Sequence, residues 1–326
     1  MDAPDVISAR VGGVTHARKF RFGIMGGRAK SGAAWTELAR KAEDLGYATL
    51  CVADHFTDGL SPTPALAAAA AVTTNLRIGS LVYGVDFRHP AALAKEAATM
   101  DLLSDGRFEL GIGAGWMDQD YDWTGITRDA PGVRIDRMAE AIDIIRGLWS
   151  GAPVEHSGAS WTIRNMVGTP RPVQAGGPPI LSGGGGKRIL ETAARLSDIV
   201  SVNPNVGAGK FDAAAWASIA AAETDSKMAI VRDAAGERYA DIEIAFLNFF
   251  TSVTDDAMAA ATTIGGYMGG IAPEAVMASP NTLVGSVDSL VDEIQARRDR
   301  WDGSYMIVMA DAIDAFAPVV ARLAGS

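Results

Sequence analysis

Asp54 and His55, followed by Phe56, close an apolar run that starts at Ala48. A carboxylic acid beside an imidazole offers proton transfer near neutral pH, although the same pair also makes an ordinary helix cap or loop hydrogen bond. A second run, Ser182-Gly183-Gly184-Gly185-Gly186-Lys187-Arg188, lies between a short strand-like stretch and a helical segment starting at Ile189. Glycines there bare backbone N–H groups at a helix N-terminus, and Lys187 and Arg188 add full charge, so the run predicts a phosphate site; the plainer reading is a flexible turn. A third run is Gly111-Ile112-Gly113-Ala114-Gly115-Trp116, where Gly113 and Gly115 would let a flat ring lie against the backbone beside Trp116. Asp118, Asp120 and Tyr121 follow it and stand behind His55 as candidates for moving a proton, with a solvated loop as the alternative. His89, just before Pro90, and His156 read as structural.

Elements must bring these runs together. Short β-rich stretches alternate with longer stretches of helical period, and the alternation occurs eight times between Phe20 and Leu323. The predicted strands are Phe20–Met25, Thr49–Ala53, Leu76–Val82, Arg107–Ile112, Pro179–Leu181, Asp198–Val202, Ile242–Thr251 and Ser304–Met309. Ile135, Met138, Ile142, Ile145 and Trp149 make one apolar helical stripe, and Ile313, Phe316, Val320 and Leu323 another. Pro90 and Pro131 suit first helical turns. Repeated strand and helix without consecutive hairpins implies parallel strands with right-handed crossovers, so the expected fold is α/β, a single (β/α)8 TIM barrel. Residues 1–19 form an N-terminal extension and residues 20–326 one domain. Three stretches exceed the barrel unit, Ala152–Gly177, Asn203–Lys227 and Asp255–Pro280, and are expected to be insertions over the C-terminal mouth. Trp161, Asn203, Asn205, Tyr267 and Met268 from these stretches, with Phe249, would give a mixed aromatic and polar substrate cavity.

Composition excludes several classes. A formal charge of −10 and a pI near 4.9 argue against nucleic acid or an anionic membrane as partner, since both require a basic face. The single cysteine, Cys51, lies in an apolar run and reads as a buried structural thiol. With no hydrophobic leader near the N-terminus and no apolar run of membrane-spanning length, the expected location is the cytoplasm. The Ala-rich stretch Ala65–Val72 reads as a buried helix. A barrel metal hydrolase generally needs histidines on its first strand, and residues 20–27 contain none, so no metal is expected.

Four segments together resemble the bacterial luciferase-like superfamily, in the branch that uses coenzyme F420: Val52-Ala53-Asp54-His55-Phe56, Ile78-Gly79-Ser80-Leu81, Gly111-Ile112-Gly113-Ala114-Gly115, and Ile180-Leu181-Ser182-Gly183-Gly184-Gly185-Gly186 with Ala193-Ala194-Arg195-Leu196-Ser197-Asp198. The similarity runs nearly the full length. It implies that Asp54 and His55 contact the deazaflavin ring. It also implies a non-proline cis bond at Ser80–Leu81 beside that ring, with Tyr83 close by, and a phosphate held by Gly183, Gly184, Gly185, Gly186 and Lys187. Asp-His at the second strand favours F420, whereas the flavin branch commonly carries Glu-His. Trp116 stands where glucose-6-phosphate-oxidising members have Glu, and Gly59 where they have Trp, which disfavours a sugar-phosphate substrate.

The expected function is therefore an F420-dependent oxidoreductase that moves a hydride between the deazaflavin C5 and a small organic substrate, with His55 and Asp54 as catalytic residues. A homodimer is implied by the resemblance alone. An FMN-dependent monooxygenase on the same fold is the alternative, and a non-catalytic cofactor-binding barrel is an alternative of another class.

Overall fold

A computed structural model of the protein describes residues 18–326. Most of the segment read as an N-terminal extension thus lies outside the described residues. Eight strands form the central sheet: β1 (Arg21–Gly26), β2 (Thr49–Val52), β3 (Arg77–Ser80), β4 (Phe108–Gly113), β5 (Ile180–Gly184), β6 (Ile199–Val202), β7 (Glu243–Asn248) and β8 (Gly303–Met309). All pair in parallel, in the order β3-β2-β1-β8-β7-β6-β5-β4, and β3 also pairs with β4, so the sheet closes into a barrel. β2 and β6 are buried along their whole length, as parallel strands covered on both faces must be.

Helices cover the outside. The stripe in α5 (Pro131–Trp149) buries Met138, Ile142, Ile145 and Trp149 against the barrel, while Ile135, nearest the helix start, is half-buried. α12 (Ile313–Leu323) buries Ile313, Phe316, Val320 and Leu323. Pro90 and Pro131 open α3 (Pro90–Leu103) and α5, where a missing N–H breaks no helical bond. The Ala-rich stretch lies in α2 (Pro62–Ala70).

Inside the ring, Leu181, Ile199, Ala245, Tyr305 and Ile307 form a small core. Beneath it, at the strand beginnings, Arg21 bonds Glu109 and Glu243 at 2.6 Å each, and Arg77 reaches Glu109 at 2.6 Å. Burial alone would raise the Glu109 pKa, but Arg21 and Arg77 outweigh it and hold the carboxyl below the usual range. The Arg21 guanidinium also lies 3.7 Å over the Tyr305 ring. Cys51 is buried, 3.5 Å from the Tyr305 hydroxyl, and burial pushes its thiol up to about 12. This polar floor closes the lower end of the barrel and leaves the C-terminal mouth for chemistry.

Several boundaries differ from the sequence reading. β5 runs on to Gly184, so Ser182, Gly183 and Gly184 are sheet residues paired with Val200, Ser201 and Val202 rather than loop. The predicted seventh strand ends at Asn248. There the chain leaves the barrel, and Phe250–Val253 pairs instead with Thr282–Gly285.

The stretch 152–177 is rooted at the end of the barrel away from the mouth. It leaves the lower end of α5 and returns to the lower end of β5, and its hairpin, Val154–Ser157 with Thr162–Met166, lies along the outside of α5. Gln174 fixes its return, with its amide nitrogen 2.8 Å from the Phe108 carbonyl and 2.6 Å from Asp101. Trp161 consequently stacks edge-on with His89, 5.0 Å away. The other two excursions do follow strand C-termini. The first carries α7 (Ala213–Ala217) and leads into α8 (Ala221–Ala235); the second carries α9 (Ala257–Tyr267) and α10 (Pro273–Met277), ahead of α11 (Val287–Trp301). Tyr267 is exposed and Met268 is buried in the excursion's own core, so neither lines a cavity at the mouth.

Candidate active site

At the end of β2 the adjacent acid and imidazole part company. Asp54 accepts from the Gly84 N–H at 3.1 Å and pairs with both terminal nitrogens of Arg88, one at 3.1 Å. Arg88 lies 4.5 Å over the Tyr83 ring, whose hydroxyl meets Thr63 at 2.8 Å. Asp54 thus fixes the segment after β3 to the end of β2.

His55 finds a different acid. Asp120, in the short helix α4 (Asp118–Thr124), places one carboxylate oxygen 2.6 Å from His55 Nδ1 and the other 2.9 Å from the Phe56 N–H. The Asp120 side chain is 3% exposed and that of His55 27%. An ionised carboxylate only accepts, so Nδ1 carries a proton towards Asp120 and Nε2 becomes the working nitrogen. Asp118 is tied to Arg128 at 2.7 Å, and Tyr121 donates to Asp86 at 2.7 Å, with burial and that acid pushing its phenol up to about 12. Of the three residues grouped after Trp116, only Asp120 reaches His55.

Ser80 ends β3, buried, and its hydroxyl serves the sheet by donating to the Gly111 carbonyl at 2.8 Å and accepting the Gly111 N–H at 3.0 Å. The chain then bulges inward, with Leu81 and Val82 packed on the inner core, before Tyr83–Gly84 rejoins Ile112–Gly113. The non-proline cis bond is Leu81–Val82, one residue beyond the expected Ser80–Leu81. Leu81 N still donates to the Val52 carbonyl at 2.8 Å, so sheet pairing carries the chain one peptide further before it turns.

The β4 glycines answer first to this bulge. A side chain at Gly113 would meet Val82 Cγ2 at 2.5 Å. Gly115 has φ +71, and a side chain there would come within 2.0 Å of the Tyr121 hydroxyl. At these two positions glycine makes room for the Val82 and Tyr121 side chains.

At the end of β5, Gly183 is dictated by packing, since a Cβ would sit 1.9 Å from the Ser201 carbonyl oxygen, and at Gly184 it would meet Ile189 at 2.8 Å. A Cβ at Gly185 would come within 2.4 Å of the Pro204 and Asn205 backbone. Gly186 differs: it is the N-cap of α6 (Lys187–Leu196), makes no side-chain cap, and a Cβ there would meet Asn205 Oδ1 at an ordinary 3.8 Å. The first-turn N–H groups of α6 are therefore left without a cap, the arrangement that receives an anion. Lys187 is largely exposed and 3.8 Å from Glu191, and Arg188 is paired with Asp136 at 2.6 Å. Backbone rather than these cations supplies most of the polarity, and a phosphate-bearing cofactor fits that turn.

Trp116 stands edge-on to His55, with ring centroids 5.6 Å apart, and Phe211 from the excursion after β6 packs on Trp116 at 5.2 Å. The peptide N–H of Asp118 donates to the Gly209 carbonyl at 3.1 Å, joining the same two segments. Phe211 and Arg88 have functional positions that sequence spacing did not point to: Phe211 lies in a polar loop, and Arg88 is 34 positions from Asp54.

Residues 13–316 match the luciferase-like monooxygenase family model. The chain belongs to that family. Among curated proteins this luciferase-like chain is 32% identical over 152 residues to the oxygenase component of flavin-dependent trigonelline monooxygenase from Acinetobacter baylyi, covering 44% of this chain and 41% of that protein. It spans between 39% and 61% of the length of the curated relatives it matches. The coenzyme F420-dependent tetrahydromethanopterin reductase of Methanopyrus kandleri superposes with TM-score 0.75 at 19% identity, covering 94% of this chain and 100% of that one. An F420-dependent secondary alcohol dehydrogenase, solved with an F420–acetone adduct, gives TM-score 0.76 at 18% identity, covering 94% and 99%. At such identities the structures establish the fold. Among the described residues no helix is long and apolar enough to cross a membrane, and no cluster of three His, Cys, Asp or Glu is placed to hold a metal.

Proposed function

We propose that the chain is an F420-dependent oxidoreductase acting chiefly as a reductase of small carbonyl compounds. When bound, the deazaflavin supplies or receives a hydride at C5. The observation that carries the reading is the buried Asp120 carboxylate 2.6 Å from His55 Nδ1, which orients a single imidazole at the mouth. Hydride transfer to a carbonyl carbon leaves an alkoxide that needs a proton, and in this reading His55 Nε2 donates it; in the reverse direction the same nitrogen accepts the hydroxyl proton. Asp120 holds the ring and balances its charge. Asp54, committed to Arg88 and Gly84, acts by shaping the ledge beside the ring. The uncapped start of α6 receives the cofactor phosphate.

The acid at position 54 supports F420, because Asp-His resembles the deazaflavin branch. A second reading, a flavin-dependent monooxygenase, draws on the likeness to the trigonelline enzyme. Reconstitution separates them. Under anaerobic conditions, neutral ketones should reoxidise reduced F420, read as recovered F420 absorbance and matched by alcohol formed. Stoichiometric FMN binding, with product formed only in the presence of oxygen, would select the second reading instead.

A further inference from the structure

We infer that the substrate is a neutral carbonyl compound with an apolar, ring-sized body, seated on an aromatic wall formed by Trp116, Phe211 and Phe249. This rests on the reading of His55 as the proton-handling residue and names the class of molecule brought to it. The wall is a continuous series of rings starting at His55. Trp116 is 5.6 Å from the imidazole, Phe211 is 5.2 Å from Trp116, and Phe249 is 5.3 Å from Phe211, each meeting its neighbour edge to face. The rings come from three separate segments, after β4, after β6 and after β7, which converge only at the mouth.

Core packing does not account for all of them. Trp216 stacks on Phe211 at 4.6 Å and, with Phe250, packs onto the buried cluster of Ile219, Ala261, Ile264, Met268 and Val276. Trp116, Phe211 and Phe249 are half-buried and belong to none of the buried clusters of the described residues. Trp216 therefore acts as backing, and the other three rings remain half-exposed, with Trp116 the one that stands beside His55. Flat apolar groups gain most there, since edge and face contacts with aromatic rings add about 0.5–1.5 kcal/mol per pair beyond burial.

Charge points the same way. Arg128 is committed to Asp118 and to the Trp116 carbonyl at 3.2 Å, and Lys227 gives its ammonium to the carbonyls of Asn203 at 2.8 Å and Ser218 at 2.6 Å. A carboxylate on the substrate would lose water at an aromatic face without gaining either cation. Lys210, exposed and next to Phe211, is a candidate to receive one, so the test includes a carboxylate.

The experiment uses F420-loaded protein and two probes, cyclohexanone and 3-oxocyclohexane-1-carboxylate. Binding is followed by tryptophan fluorescence and turnover by reoxidation of reduced F420. The neutral ketone should bind at least about tenfold tighter than the carboxylate. Phe211→Ala should raise its KM and Kd by roughly tenfold, leaving F420 affinity within about twofold, and Phe211→Leu should lie between. Equal or stronger binding of the carboxylate, or no change in Phe211→Ala and Phe211→Leu, overturns the inference. Should Phe211→Ala not fold, Phe211→Leu and Phe249→Leu give the same readings. Tight ketone binding without F420 reoxidation would sink the reductase reading and leave the wall standing; turnover that prefers the carboxylate would do the reverse.

Discussion

At the scale of single residues, the chemistry concentrates on one imidazole and the acid behind it. His55→Ala removes the proton donor, so kcat should fall by at least about tenfold, within the range general acid–base groups contribute, as read from single-turnover reoxidation of reduced F420. Unchanged turnover would deprive His55 of its role. Asp120→Asn replaces two accepting oxygens with one, so His55 Nδ1 and the Phe56 N–H must compete for it. Here kcat should drop by roughly tenfold with KM nearly constant, and Asp120→Glu should recover part of the loss. A change in KM alone would mean that Asp120 shapes a binding surface instead. His55 could be picked out from sequence because it follows the end of a strand and sits in a recognisable motif. Its true partner could not: the adjacent Asp54 is the obvious acid, and only the fold turns it towards Arg88 and brings up α4.

Among the elements, the glycine run shows how one sequence signal can have two causes. Gly183 is glycine because the Ser201 carbonyl leaves no room, and Gly186 because a helix begins there without a cap. Gly183→Ala should therefore lower the melting temperature sharply and Gly186→Ala hardly at all. Cofactor affinity should separate the two the other way, with Gly186→Ala weakening F420 binding by roughly tenfold in a titration, because a methyl group would stand where an anion approaches the open amides. Equal affinities for wild type and Gly186→Ala would remove the phosphate from this turn. From composition alone the whole run looked like loop, because glycine carries no signature of sheet pairing. The excursion before β5 misled for a related reason: its length suggested a lid, but length does not say at which end of a barrel a segment leaves and returns, and here Gln174 and Asp101 anchor it below.

For the molecule as a whole, the eightfold alternation of strand and helix was enough to give the barrel, because covering both faces of every strand leaves a repeated pattern that local exceptions do not erase. Its floor is less visible, since Arg21, Arg77, Glu109 and Glu243 are scattered through the chain and meet only when the ring closes. Glu109→Gln should cost about 3–5 kcal/mol at neutral pH by leaving Arg21 and Arg77 short of a buried counter-charge, as chemical denaturation would measure. Because the folded protein holds the Glu109 pKa low, that advantage of the wild type is complete above the ordinary carboxylate range, near 4.3, and is lost as pH falls through the depressed value. An advantage that instead grew below pH 4 would contradict the assigned charge. At the opposite end, the hydrogen bond between the Asp118 N–H and the Gly209 carbonyl stitches two loops into one flap. Either that flap swings as a unit, carrying Trp116 and Phe211 together, or it stays shut and traffic in and out passes over the short crossings that follow β8 and β1.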